Sequence, residues 1–376
     1  MTTYLDCNAT TPPDERVLAE VVRFLRDDFG NAGSRTHEFG ATAKKAVQRA
    51  RDQVAAVANC AREEVLFTSG ATESNNLAIL GLAEEGEKTG RRHLISTAIE
   101  HKAVLEPLEV LARRGFEIEL VRPNAGGWVE PAEVQKALRA DTLLVSVMNV
   151  NNETGVTQPI LEIASILEGH PAYFHVDAAQ GFGKEPLASK CARVDLLSIS
   201  GHKIHAPKGV GALVTRRRAF QRPPIRPLHF GGGQEFGIRP GTVPVALVVG
   251  LGLAAELAAK ESEARTAANR ETRRAFLKAI ESIPHVLHGD QNRVLPHCVN
   301  VSFPGVDSEA AIVALRGFVA CSNGSACTSQ SYSPSHVLTA MGLPADQIAG
   351  ALRLSWCHLT PATDWAEFAA RIAALR

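Results

Sequence analysis

AYFHVDAAQ (172–180) and VDLLSISGHK (194–203) decide the fold. Each is a short run of apolar and aromatic residues that ends abruptly in polar ones, Asp177 and Gln180 in the first, Ser200, His202 and Lys203 in the second. Short apolar strands of this kind belong in a parallel sheet covered by helices on both faces. The same unit recurs outward from this pair. VLFTSG (65–70) precedes ATESNNLAILGLAEEG (71–86), whose Leu77, Leu80 and Ala83 fall at helical spacing, and HLISTAIEH (93–101) precedes KAVLEPLEVLARRG (102–115). FEIELVRP, EPAEVQKALR, TLLVSVMNV and PILEIASILEG follow, and VGALVTRR (210–217) closes the series. Alternating strands and helices from about Glu63 to Val214 predict an α/β domain with a mostly parallel central sheet and right-handed crossovers. Such sheets take ligands at the carboxyl ends of their strands, where the polar residues of this sequence cluster.

The rest of the chain bounds the answer. With 376 residues, 45% of them apolar, it has enough hydrophobic material for one large core or two. Forty basic and 40 acidic side chains cancel, so the broad basic face needed to grip a nucleic-acid backbone is absent and no direct nucleic-acid binding is expected. The start, MTTYLDCNATTPPDERV, lacks a basic region followed by an apolar one, and no run approaches the ~20 apolar residues of a membrane span; the expectation is a cytoplasmic protein with no membrane contact. Residues 244–283 hold no proline after Pro244 and read as one or two long helices. Beyond them a smaller α+β domain is expected, with the division at 13–255 for the large domain and 1–12 plus 256–376 for the small one. The seven cysteines, at 7, 60, 191, 298, 321, 327 and 357, are an odd number without a CxxC pair, so neither a disulfide framework nor a metal site is expected.

Several strand ends carry chemistry. Lys203, after an apolar strand and before a Pro/Gly-rich turn, is placed to lose its proton and attack an aldehyde, as pyridoxal phosphate requires; the plain alternative is a surface lysine beside a turn. Asp177 can keep the ring nitrogen of that cofactor protonated, and Gln180 can reach its ring hydroxyl. Gly70, Ala71 and Thr72 lie between a strand and a helix and form a candidate phosphate cradle, to which Ser200 and His202 can add donors; otherwise Thr72 is a helix cap. His101 can stack on the cofactor and move protons, or merely start a helix. Asn152 can donate to the cofactor hydroxyl or a substrate carboxylate. Arg353, on the apolar strand ALRLS, suits an α-carboxylate. Cys327, in CSNGSACTSQSYSPSH, sits among small polar residues that read as an exposed loop, whereas Cys321 beside Phe318 and Val319 reads as packed.

GATESNN, IEHKAV, VNNETG, HVDAAQ, SGHK, RPGT and NGSACTS, in that order, resemble the pyridoxal-phosphate-dependent cysteine desulfurases, in the class V aminotransferase group of fold type I, from about Tyr4 to Thr360. NGSACTS and the threonine of RPGT are similar to the branch with the longer catalytic loop. The resemblance implies that Lys203 forms the Schiff base, that Asp177, His101 and Gln180 hold the ring, and that Ala71, Thr72, Ser200 and His202 bind the phosphate. It implies a homodimer in which Thr242 reaches the neighbouring subunit's cofactor. Arg353 and Asn152, with Asn31, would hold the substrate carboxylate. Cys327 would take sulfur from L-cysteine as a persulfide, releasing L-alanine, and pass it to an acceptor protein in iron–sulfur assembly, tRNA thiolation or DNA phosphorothioation. The chain departs from the family pattern at Ala32-Gly33 beside Asn31, at Trp356-Cys357-His358 after Arg353, where a bulky ring is expected near the substrate arginine, and at Gln330 and Tyr332 after Cys327. A selenocysteine or cystine lyase would not need Cys327; a non-catalytic scaffold would not need Lys203, Asp177 and His101 together.

Overall fold

In the computed structural model, which describes residues 2–218, 220–323 and 334–376, all seven strands expected between Glu63 and Val214 form and join one sheet. A two-residue strand β1 (Thr3–Tyr4) comes first. Then follow β2 (Val65–Thr68), β3 (His93–Thr97), β4 (Glu117–Val121), β5 (Thr142–Met148), β6 (Tyr173–Asp177), β7 (Leu196–Ser200) and β8 (Gly211–Thr215). The spatial order is β2-β8-β7-β6-β5-β3-β4. Strands β4, β3, β5, β6 and β7 run parallel, while β8 is antiparallel to both β7 and β2. Every residue of β2, β3, β5, β7 and β8 is buried, as helices on both faces demand, and β4 is largely exposed because it is an edge. The register sets Met148 beside Asp177 and Asp177 beside Ser198, so the polar residues ending these strands meet along one rim.

A second, smaller core lies beyond this sheet. Strand β10 (Cys298–Ser302) sits between β9 (Val286–Leu287) and β12 (Ala351–Ser355), antiparallel to both, and β1 pairs with β11 (Val319–Ala320). The stretch expected as one or two helices is two, Val245–Lys260 and Ser262–Ile280, broken at Glu261. The first packs into the large core, where Gly252 lets the helix Glu38–Ala58 approach so closely that a Cβ would stand 2.6 Å from the Cα of Ala50. The second delivers Phe276 and Ile280 to the small core, where Phe276 meets Trp365 and Phe368 edge-on at 5.2 and 5.6 Å. Among the described residues no helix is long and apolar enough to cross a membrane.

Strand β2 ends the sheet, and its exposed side would be an open edge. A buried ion pair closes it. Glu235, held with a left-handed φ of 47°, accepts from the Phe67 amide at 2.7 Å and from Arg51 at 2.6 and 2.9 Å. Both side chains of the pair are 5% exposed, and the Arg51 guanidinium lies 4.6 Å from the Phe67 ring. Removing one partner strands a charge in the core, so Glu235→Ala should lower the unfolding free energy by about 3–5 kcal/mol in urea titrations. A loss below about 1 kcal/mol would show that the pair is solvated.

Candidate active site

The rim opens into a cavity of about 400 Å³. Ala71, Thr72, His101, Asn152, Asp177, Gln180, Ser200, His202, Lys203 and Arg353 all line it, so ten of the positions singled out in the sequence converge although they span nearly 300 residues.

Each group is held by its neighbours. Asp177, 5% exposed at the end of β6, accepts from Asn75 Nδ2 at 2.7 Å and from the Ala179 amide at 2.9 Å, which fixes its direction. Asn75, not expected as a site residue, stands one helical turn after Ala71 in GATESNN, which was the available signal. Gln180 Nε2 donates to the Asn8 carbonyl at 2.8 Å, and the buried Oδ1 of Asn75 and Oε1 of Gln180 have no partner among the described residues. Lys203 Nζ donates to the carbonyls of Asn8 and of Ala9, the latter at 2.7 Å. His202 hydrogen-bonds Thr10 at 3.0 Å, and burial pulls its pKa down to about 4, so it is neutral.

The phosphate cradle is a helix start. The helix Ala71–Leu80 is capped by Gly70, at φ 152°, with no side-chain cap, and not by Thr72. Its first amides are therefore open to an anion. A Cβ at Gly211 of β8 would stand 2.6 Å from Gly70 Cα, so this turn sits directly against the sheet. His101 both starts a helix and faces the cavity: its Nδ1 accepts from the Ala103 amide at 3.0 Å, leaving the proton on Nε2, and burial lowers its pKa.

Arg353 is 1% exposed and gives Nη2 to Asp6 at 2.6 Å and Nη1 to the Asn152 carbonyl at 3.1 Å. The Trp356 ring, expected near this arginine, lies elsewhere. Strand alternation turns Leu354 and Trp356 away from the face of Arg353, and the indole joins the small core and donates to the Asn269 carbonyl at 3.1 Å. Asn31 and Thr242 are not in the cavity either. They share a separate recess of about 240 Å³, and Asn31 Oδ1 accepts from the Gly33 amide at 2.8 Å, closing a local turn. Cys327, Gln330 and Tyr332 lie outside the described residues. Cys321 is half-buried, and burial pushes its thiol up to about 12, in keeping with a packed residue.

A flat, phosphorylated pyridine aldehyde fits this arrangement: open amides for its phosphate, a fixed carboxylate, an amine, and amide oxygens still lacking partners. The fold and cavity therefore define a pyridoxal-phosphate enzyme of fold type I. The chain belongs to the aminotransferase class V family, whose model matches residues 3–367. It is 46% identical over 352 residues to a human protein named cysteine desulfurase, covering 93% of this chain and 76% of the relative. Among solved structures it is similar to DndA from Streptomyces lividans, at 50% identity with a TM-score of 0.82 and coverage of 96% and 100%. It is also similar to SspA in complex with cysteine, at 36% identity, a TM-score of 0.84 and the same coverage.

Glu100, unforeseen in the sequence, lies just behind the cavity wall. It is fully buried, accepts from Thr97 Oγ1 at 2.7 Å and the Met148 amide at 2.8 Å, and burial raises its pKa to about 8. Between about pH 5 and 8 the folded chain keeps a proton that the unfolded chain gives up, so this group makes stability fall as pH rises through that window. Glu100→Gln should gain on the parent from pH 5 to pH 8 by on the order of 3 kcal/mol in urea unfolding. A difference that stays constant with pH would show that Glu100 titrates normally.

Proposed function

We propose that this cavity carries out L-cysteine desulfuration, with Lys203, His101 and Cys327 as the catalytic residues. The activity is that of a pyridoxal-phosphate-dependent cysteine desulfurase. Bound pyridoxal phosphate supplies an electron sink that makes the substrate α-proton acidic. Asp177, fixed by Asn75, would hold the proton on the ring nitrogen, and the Lys203 amine would remove and return the α-proton. Arg353 and Asn152 would orient the substrate carboxylate. The Cys327 thiolate would attack the substrate sulfur; an S–S bond forms as the Cβ–S bond breaks, and the carbon takes a proton to give L-alanine. The observation that carries this reading is the convergence of Lys203, Asp177, His101 and Arg353 on one cavity. The segment bearing Cys327 is rooted beside it, since Ser322 and Arg353 exchange backbone hydrogen bonds of 3.2 and 2.6 Å.

The acceptor is a sulfur-receiving protein in the cytoplasm, and the working unit is a homodimer with Thr242 serving the partner's phosphate site. The recess holding Asn31 and Thr242 supports this, because it is edged by Phe236 at 52% exposure and the paired rings of Phe29 and Phe39 are 67% and 53% exposed beside it. The division at 13–255 against 1–12 and 256–376 is supported by the two separate cores.

The direct test adds L-cysteine and a reductant to the purified yellow protein and to Cys327→Ser. The parent should release sulfide and alanine in equal amounts. The variant should still perturb the cofactor spectrum on adding cysteine but lose at least about a hundredfold in sulfide release. Undiminished sulfide from the variant would favour a lyase, and a protein that takes up no pyridoxal phosphate would favour a scaffold.

A further inference from the structure

Behind the catalytic cavity is a second one, of about 50 Å³, that the desulfurase reading does not use. Its wall includes Cys7, His205, Cys357 and His358, drawn from three distant parts of the chain. One ligand atom each from His205, Cys357 and His358 lies within 4.8 Å of the others, and the two imidazoles meet edge-on with centroids 4.8 Å apart. The Cys7 thiol hydrogen-bonds that of Cys357 but lies outside this group of three.

These groups are in the right state to bind a cation. His205 Nδ1 lies 2.9 Å from the Pro12 carbonyl, which can only accept, so Nδ1 carries the proton and Nε2 keeps its lone pair. Cys357 Sγ accepts from Thr360 Oγ1 at 3.8 Å, and Lys184 lines the same wall. His297, also on the wall and 4% exposed, has an Nε2 with no hydrogen-bond partner among the described residues. His358 also approaches Asp14 and Glu261, but Arg16 already holds those carboxylates at 2.7 and 2.6 Å, so the sulfur side is the open one.

We propose that His205, Cys357 and His358 form a binding site for a divalent zinc-like cation, with Cys7 beside Cys357. One sulfur and two imidazole nitrogens suit zinc with a fourth tetrahedral position left open, whereas calcium and magnesium need oxygen. A tetrahedral site places its ligand atoms ~3.3–3.8 Å apart, and the three donors here already lie within 4.8 Å of one another. The cation would brace the reaction site from behind. Asn8, whose carbonyl receives Lys203, follows Cys7; Lys203 is two residues from His205; Arg353 is four from Cys357.

The test uses pyridoxal-phosphate-loaded protein under a phosphine reductant, given one equivalent of zinc or cobalt(II) and dialysed. The parent should retain about one zinc per chain and unfold at a higher temperature with zinc than without. Its cobalt form should show the ligand-field absorption of a tetrahedral sulfur–nitrogen site, at longer wavelengths than the cofactor absorbs. Cys357→Ala, and the half-buried His358→Ala as a milder change, should each weaken zinc binding ~100-fold or more, while Cys327→Ala keeps the cobalt spectrum. Zinc retention in Cys357→Ala equal to that of the parent overturns the site. So does a cobalt spectrum lost in Cys327→Ala, or a parent that binds no metal while peroxide joins Cys7 to Cys357 as a disulfide.

Discussion

The carbonyl oxygens of Asn8 and Ala9 are the point on which this structure turns. Both accept from Lys203 Nζ, and Asn8 also receives Gln180. The same short segment is tied to the small core: the Cys7 amide donates to the Ser355 carbonyl at 3.0 Å, the Asn8 amide to Ser355 Oγ at 2.8 Å, and Asp6 takes Arg353 at 2.6 Å. An extended strip of backbone, with donors and acceptors on both edges, can satisfy a cation from the large sheet and an arginine from the small one together. The cavity is thereby assembled from two cores, which also meet where Ile99 and Met148 pack against Val337, Leu338 and Met341.

Pairing is what makes so polar a cavity tolerable. Its wall carries Lys203 and the exposed Lys208, an arginine, an aspartate and two histidines, and a charge buried there alone would be costly. Arg353 is matched by Asp6, Asp177 by two N–H donors, and the histidines are neutral through burial. Among the residues lining the cavity, the buried side-chain oxygens of Asn8, Asn75 and Gln180 have no partner among the described residues. An electrostatic surface prepared in this way needs no rearrangement when charge develops on a bound substrate.

The rear cavity obeys the opposite logic. Beside Lys184, Arg265 and a few hydroxyl and amide groups, its wall carries two cysteines and three histidines, and sulfur and imidazole favour soft metal bonds. The two cavities share chain segments, so strain or filling in one is felt by the backbone of the other within a few residues. The residues Trp356-Cys357-His358 belong to this rear side: strand β12 presents Arg353 forward and Trp356 into the small core, and the chain beyond it carries Cys357 and His358 to the rear wall.

Local information was sufficient for the sheet. Uninterrupted apolar runs ending in polar residues specify buried parallel strands and the rim where they stop, and Lys203, Asp177, His101 and Arg353 could be named because each sits at such a strand or its end. Asn75 was within reach too, one turn from Ala71. Other features could come only from tertiary structure, because they pair residues with no sequence relation. Asp6 meets Arg353 across 347 positions, Glu235 seals β2 from a distant turn, and Glu100 owes its raised pKa to burial first and to the charge of Asp177 second. The absence of a CxxC spacing argued against a metal site, yet spacing rules see only ligands that share a turn. Cysteines 7 and 357 and histidines 205 and 358 become neighbours only when three segments fold against one another, and no local pattern records that contact.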